Sequence, residues 1–459
     1  MKSTAFLLDK YNNPVPRYTS YPPANYFTDS FNQQNYIDAL IESNQGYPRN
    51  ISIYIHIPFC KRMCHYCGCN SCPMHKGDIV SQYIKALKAE LKLVSQYIDK
   101  DRKLSQIHYG GGTPNAIDAG YLQEINSIIF SEFQQIEKAE IAIECNPAYL
   151  DQKYASALTE AGFNRFSLGI QDMDPKILHT VNREVPDRPF SETMAYLREN
   201  NPNAVINLDF IYGLPGQTVD SFLKTMEAAI ELKPERLVTF SYAHVPWVNK
   251  AQAILEKAGL PDPIEKTDMY FTSHNLLKES GYKPLGLDHY VLEKDDLYKA
   301  FENHKLHRNF QGYCTRETTG QVYAFGASSI SQLEKHYAQN IKTNEDYIRA
   351  IANNQLPIVK GYTLSPNEMI VREVINELMC NKKLHFATLA ESLNIGKDEL
   401  KNNIIIDREM LDSFTDDGII EWNEEGITVT EQGVLFIRNV AASLDPALKI
   451  RTNNFSKSV

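Results

Sequence analysis

The sequence predicts an α/β fold: a partial (β/α)6 barrel, preceded by an N-terminal arm and followed by a mainly helical domain. Three observations carry this. Six short β-rich segments alternate with amphipathic helical stretches, the pattern of a parallel sheet with right-handed crossovers. Within those segments one face is repeatedly polar, whereas a sheet covered by helices on both sides reads as continuous apolar runs. Polar and titratable side chains then collect at the C-terminal ends of the segments, the rim where such barrels do chemistry.

The six segments are 51–57, 106–109, 140–145, 165–171, 205–211 and 236–242. In the first, Ile51, Ile53, Ile55 and Ile57 share one face, and Ser52, Tyr54 and His56 the other. Ile141 and Ile143 oppose Glu140 and Glu144; Ile206, Leu208 and Phe210 oppose Asn207 and Asp209. Tyr54, His56, Tyr109, Glu144, Gln171, Asp209 and Tyr242 fall at the C-terminal ends and are expected to rim a lumen wide enough for a ligand. Helices are expected over 79–98, 121–133, 174–200 and 218–232.

The chain divides into an arm (1–45), a catalytic barrel (46–355) and a winged-helix-like cap (356–459). Pro14, Pro16, Pro22 and Pro23 make the arm extended. The cap is expected to hold helices over 366–381, 387–393 and 397–414, a hairpin near 420–427 and a last helix near 431–442. Helices with one hairpin raise DNA binding as a reading. From Glu391 to Glu431 the chain carries 12 acidic and 3 basic side chains, and phosphate contacts need the opposite sign. A formal charge of −10 likewise disfavours nucleic acid or a membrane surface. No run reaches the ~18 apolar residues of a membrane span, and the start, Met1 to Leu8, lacks a signal-peptide pattern. A cytoplasmic protein is expected.

Of eight cysteines, five lie between Cys60 and Cys72. In a reducing compartment such a cluster points to metal or redox chemistry rather than disulfides. Cys60, Cys64 and Cys67, spaced C-x3-C-x2-C directly after a strand, place three thiolates on one loop. A cubic iron–sulfur cluster takes four, so three leave one iron open. The alternative, zinc with His65 or His75 recruited, lacks a second Cys-x2-Cys knuckle. Cys69 would close the open iron if it bound, so it is placed beside the cluster; Cys72 is read as a loop thiol.

These residues resemble the radical S-adenosylmethionine superfamily. The fuller string Tyr54-Ile55-His56-Ile57-Pro58-Phe59-Cys60 with Tyr66-Cys67-Gly68-Cys69-Asn70 resembles the oxygen-independent coproporphyrinogen III oxidase family. So do Arg17-Tyr18-Thr19-Ser20-Tyr21-Pro22, Gly110-Gly111-Gly112-Thr113-Pro114, Val181-Asn182-Arg183-Glu184 and Leu306-His307-Arg308-Asn309-Phe310. Cys314, Val185 and the stretch Gly326 to Ser331 depart from the family's usual residues without touching the cluster loop.

The resemblance implies a [4Fe–4S] cluster on Cys60, Cys64 and Cys67 and a first S-adenosylmethionine met by Tyr54, Gly111, Gly112, Glu144, Ala243 and Ile330. It implies a second S-adenosylmethionine met by Tyr66, Gly112, Thr113, Gln171, Arg183 and Asp209, the guanidinium for the carboxylate and the carboxylate for the ammonium. Tyr54, His56 and Cys69 are implied at the reaction centre. The implied reaction decarboxylates two propionates of coproporphyrinogen III to vinyl groups, giving protoporphyrinogen IX, with Arg17 and Arg308, and His307 nearby, as carboxylate binders. A monomer reduced by a flavodoxin or ferredoxin is expected. The competing readings are a relative that methylates or opens haem, and a haem chaperone; that group typically lacks the Gly68-Cys69 continuation and the Arg17 arm present here.

Overall fold

The computed structural model describes residues 2–74, 77–449 and 455–459; Met1 and His75, considered above, lie outside them. Six parallel strands form the centre: β1 (Ile51–Ile57), β2 (Leu104–Gly111), β3 (Gln135–Cys145), β4 (Arg165–Gln171), β5 (Val205–Tyr212) and β6 (Arg236–Ser241). They neighbour one another in chain order. The alternation sets their faces. Ile51, Ile53, Ile55 and Ile57 are buried against the helices, and Ser52, Tyr54 and His56 turn to the lumen. Side-by-side registers such as Tyr54 with His108 and His56 with Gly110 continue that lumen face across the sheet.

The sheet is wider than the six expected strands, with twelve in all. Val322–Phe325 pairs in parallel with the free edge of β1, and three antiparallel strands extend from it. The last of them, Ile358–Thr363, lies just past residue 355. On the other edge His289–Val291 pairs antiparallel with β6. The antiparallel additions escaped the strand–helix rhythm because they need no crossover helix.

Two expectations are corrected. The stretch 174–200 is not one helix but two, Pro175–Thr180 and Phe190–Asn200, because Pro186 and Pro189 lie in the break. Tyr109 does not face the lumen. It shares the parity of Ile55, and its hydroxyl donates to Asn126 Oδ1 (2.7 Å) in the helix Ala119–Glu132. His108 takes the lumen position instead.

The arm is partly helical, over Thr4–Tyr11 and Gln33–Ser43, since Ser3 and Asn32 cap their first turns. Its proline-rich stretch is strapped to the C-terminal region. Tyr18 and Tyr21 both donate to the buried Asp445 (3.0 Å each), and Arg438 Nε donates to the Pro16 carbonyl (3.0 Å). The C-terminal helices surround a three-stranded sheet, Lys383–His385, Gly426–Val429 and Ile420–Asn423, the first strand being one the hairpin pattern did not reveal. Lys397, Lys401 and Arg408, the three basic residues of the acidic stretch, all pair with Glu424 or Glu425.

Candidate active site

Directly after β1, Pro58 and Phe59 lead into the cysteine loop, which is held from several sides. The Gly112 and Thr113 amides donate to the Ile57 and Phe59 carbonyls (2.8 and 2.9 Å), tying the chain after β2 to the chain after β1. Asn182 Nδ2 donates to the Met63 carbonyl (2.8 Å), Asn249 Nδ2 to that of Cys67 (2.6 Å) and Gln252 Nε2 to that of Tyr66 (2.9 Å). His56 fixes the far end. Its Nε2 meets the Asn70 carbonyl (2.9 Å) and so carries the proton, leaving Nδ1 to accept from the Tyr54 hydroxyl (3.2 Å). Burial lowers the His56 pKa, which keeps the ring neutral for this role.

Cys60, Cys64 and Cys67 are free thiols opening onto one cavity of about 160 Å³ in the lumen. Cys69, Tyr66, Gly111, Gly112, Thr113, Glu144, Gln171, Arg183 and Asp209 line the same cavity. Tyr54 and His56 stand behind it: a Cβ on Gly110 would lie 3.1 Å from the Tyr54 ring, and one on Gly111 2.7 Å from the His56 ring. Ala243 and Ile330 are half-buried and are not brought to this cavity. Arg17 and Arg308 do not line this cavity either; they are joined by a hydrogen bond from Arg308 Nη1 to the Arg17 carbonyl (2.6 Å). His307 is buried away from them, facing Gln332, and burial with Arg316 beside it pushes its pKa down to about 3.

The thiols are electrostatically distinct. A hydrogen bond from Cys69 pulls the Cys67 thiol down to about 6, and the Cys69 amide also donates to its sulfur (3.4 Å). Burial raises Cys60, whose sulfur accepts from the Thr113 hydroxyl (3.4 Å). Arg183 Nη1 donates to Cys64 Sγ (3.8 Å). Burial opposes the Arg183 charge, but Tyr66 and Cys64 more than restore it.

Arg183 and Asp209 do not neutralise each other. Arg183 donates to the Gly169 carbonyl, while Asp209 accepts from Ser167 Oγ and Asn207 Nδ2 (2.7 Å each). Burial raises the Asp209 pKa. Gln171, at φ +74°, brings a buried Oε1 without a partner to the same wall. Glu144 accepts from His108 Nε2 (3.0 Å), and His108 stacks on Tyr54.

The residues present fit an iron–sulfur cluster. Three thiols line one cavity, and a cubic cluster would offer each thiolate its own iron. Unpaired charges of both signs beside it suit a zwitterionic amino-acid ligand.

Several of these residues escaped the sequence reading. His108 and Ser167 share the lumen parity, as Asn207 does, and were legible from it. Asn182, Asn249 and Gln252 lie in loops with no periodicity.

The comparisons agree with this geometry. The Radical SAM superfamily model matches residues 54–229, and the HemN C-terminal domain model matches 364–436. The chain is 37% identical to the oxygen-independent coproporphyrinogen III oxidase of Synechocystis sp., over 99% of this chain and 98% of that protein. It is 35% identical to the Escherichia coli enzyme of the same name, over 99% and 98%. The solved coproporphyrinogen III oxidase (HemN) from Escherichia coli, described as a radical SAM enzyme, superposes with a TM-score of 0.86 at 33% identity, covering 95% of this chain and all of that one. With its three-thiol loop at the mouth of a parallel partial barrel, the chain belongs to the oxygen-independent coproporphyrinogen III oxidase family of radical SAM enzymes.

Proposed function

We propose that this protein oxidatively decarboxylates two propionates of coproporphyrinogen III to vinyl groups, giving protoporphyrinogen IX in haem biosynthesis. One observation carries the reading: the three thiols of Cys60, Cys64 and Cys67 open onto the same cavity as the separately held charges of Arg183 and Asp209. Cys60, Cys64 and Cys67 would hold a [4Fe–4S] cluster there, which with S-adenosylmethionine would supply the hydrogen-abstracting radical chemistry that decarboxylation of a propionate needs.

The protein's own share is placement and exclusion. His56 and the three amide side chains from Asn182, Asn249 and Gln252 immobilise the loop that presents the thiolates. Glu144 offers a carboxylate on the lumen face for the ammonium of the first S-adenosylmethionine. Arg183, Asp209 and the orphaned Gln171 Oε1 form a second amino-acid seat, supporting two molecules of S-adenosylmethionine per chain. Tyr54 keeps its phenol proton, because burial and then Glu144 hold its pKa well above the ordinary value. Arg17 and Arg308 take substrate carboxylates. The reductant is a flavodoxin or ferredoxin and the protein works as a monomer in the cytoplasm; eight free thiols suit a reducing compartment, and no described helix is long and apolar enough to cross a membrane.

The test is anaerobic reconstitution with iron and sulfide, then reductant, S-adenosylmethionine and coproporphyrinogen III. Protoporphyrinogen, 5′-deoxyadenosine and carbon dioxide should form together. Deoxyadenosine without decarboxylation would overturn the reading in favour of a haem-modifying relative.

A further inference from the structure

Beyond β6, four cations, Lys266, Arg17, Arg308 and Arg438, lie close enough to repel one another, and all but Arg17 donate to backbone carbonyls. Lys266 Nζ donates to the Tyr242 carbonyl (2.9 Å), just past β6. Arg308 Nη1 donates to the carbonyls of Arg17 and Tyr18 (2.6 and 3.3 Å). Arg438 is satisfied by carbonyls of the arm and the C-terminal segment, Pro16 and Lys457 among them (3.0 Å each). It therefore acts as a positioning residue that fixes the arm carrying Arg17. The carboxylate within this group, Asp288, already bonds His289 Nδ1 (2.7 Å).

Like charges gathered in a partly desolvated place raise one another's energy unless an anion joins them. The strain is visible on Lys266, whose pKa falls to about 8 through burial and then through Arg17 and Arg438. Independently, Arg308 Nε is buried without a hydrogen-bond partner, although its guanidinium lies 5.3 Å from the Tyr313 ring centroid. An exposed aromatic ring lies close by, against His289. Phe240 sits in register with Ile211 on the face that Asp209 occupies further down, and it stays 40% exposed.

An exposed aromatic ring beside four cations that share one carboxylate matches a flat macrocycle bearing carboxylates at its perimeter. We propose that Lys266, together with Arg17 and Arg308, seats the propionates that the tetrapyrrole keeps through the reaction, with Phe240 against the macrocycle. This rests on the function proposed above and adds Lys266 as a specificity-determining residue for the substrate.

The experiment uses the reconstituted holoprotein and coproporphyrin III, the oxidised and unreactive tetracarboxylate, with binding followed by fluorescence. Lys266→Gln should bind it roughly ten-fold more weakly, the loss of one charge-assisted hydrogen bond. Lys266→Arg should restore most of the affinity, and in both variants iron content and S-adenosylmethionine affinity should match the parent. Added salt should weaken binding to the parent protein. Unchanged porphyrin affinity in Lys266→Gln, salt-independent binding, or an equal loss of S-adenosylmethionine affinity would each overturn the proposal. A parent protein that binds no coproporphyrin would instead sink the functional reading itself.

Discussion

Gly112→Ala is the most searching test of the cysteine loop's construction. A Cβ built on Gly112 lies 2.7 Å from both the carbon and the oxygen of the Pro58 carbonyl group, and 2.9 Å from the Phe59 carbonyl oxygen. All three are backbone atoms, so no rotamer relieves the clash. The two chains must separate by roughly 0.7 Å to regain ordinary contact. They are clamped at this point by the Gly112 and Thr113 amides on Ile57 and Phe59. Overpacking of this kind costs about 1–3 kcal/mol, and weakening one of the clamping bonds adds about 1 kcal/mol. The displaced segment ends at Cys60, so the cost falls on the cluster loop before the rest of the barrel. The assay is the iron-to-protein ratio and visible absorbance after anaerobic reconstitution, beside thermal melting of the apoprotein. Gly68→Ala is the control, since nothing lies within 4 Å of its Cβ position. Gly112→Ala should load less iron and melt lower, while Gly68→Ala should load and melt normally. A Gly112→Ala protein with full iron and unchanged melting would refute the reasoning.

Cys64→Ala should lose the cluster, whereas Cys72→Ala should keep it, because Cys72 Sγ merely accepts from Asn344 Nδ2 (3.2 Å); iron analysis decides between them. Asp209→Asn should reduce S-adenosylmethionine bound per chain from two towards one in equilibrium dialysis, leaving cluster loading intact. Glu140→Gln should cost about 2 kcal/mol in denaturant unfolding, since Arg165 (2.7 Å) would lose a half-buried carboxylate held near pKa 2, while Arg236 keeps Asp295 (2.7 Å). That depressed pKa stabilises the fold fully above the ordinary value of 4.5, and the contribution is lost as pH falls towards 2. His307 adds to this: neutral when folded down to about 3, it binds a proton below 6.5 once unfolded, so stability erodes as pH drops through that window. Melting temperature should therefore fall between pH 7 and 4 through His307, and further below 4.5 through Glu140; a flat profile in the first window would contradict the His307 assignment, and in the second the Glu140 one.

The sequence by itself determined the barrel strands and the metal chemistry. Period-two alternation is a local property, so Ile51–Ile57 and Arg165–Gln171 could be bounded from their own residues, and Asp209 and Glu144 assigned to the lumen. Three cysteines on one short loop are necessarily neighbours, which made Cys60, Cys64 and Cys67 legible before any folding. What the tertiary structure decided was everything that depends on which distant segments meet. The parallel pairing of Val322–Phe325 with β1 and the anchoring of Tyr66 and Cys67 by Gln252 and Asn249 leave no local trace. Most of all, the separation of Arg183 from Asp209 could not be read from spacing: opposite charges invite pairing, and only the fold shows that Gly169, Ser167 and Asn207 satisfy each one first, leaving both free for a ligand.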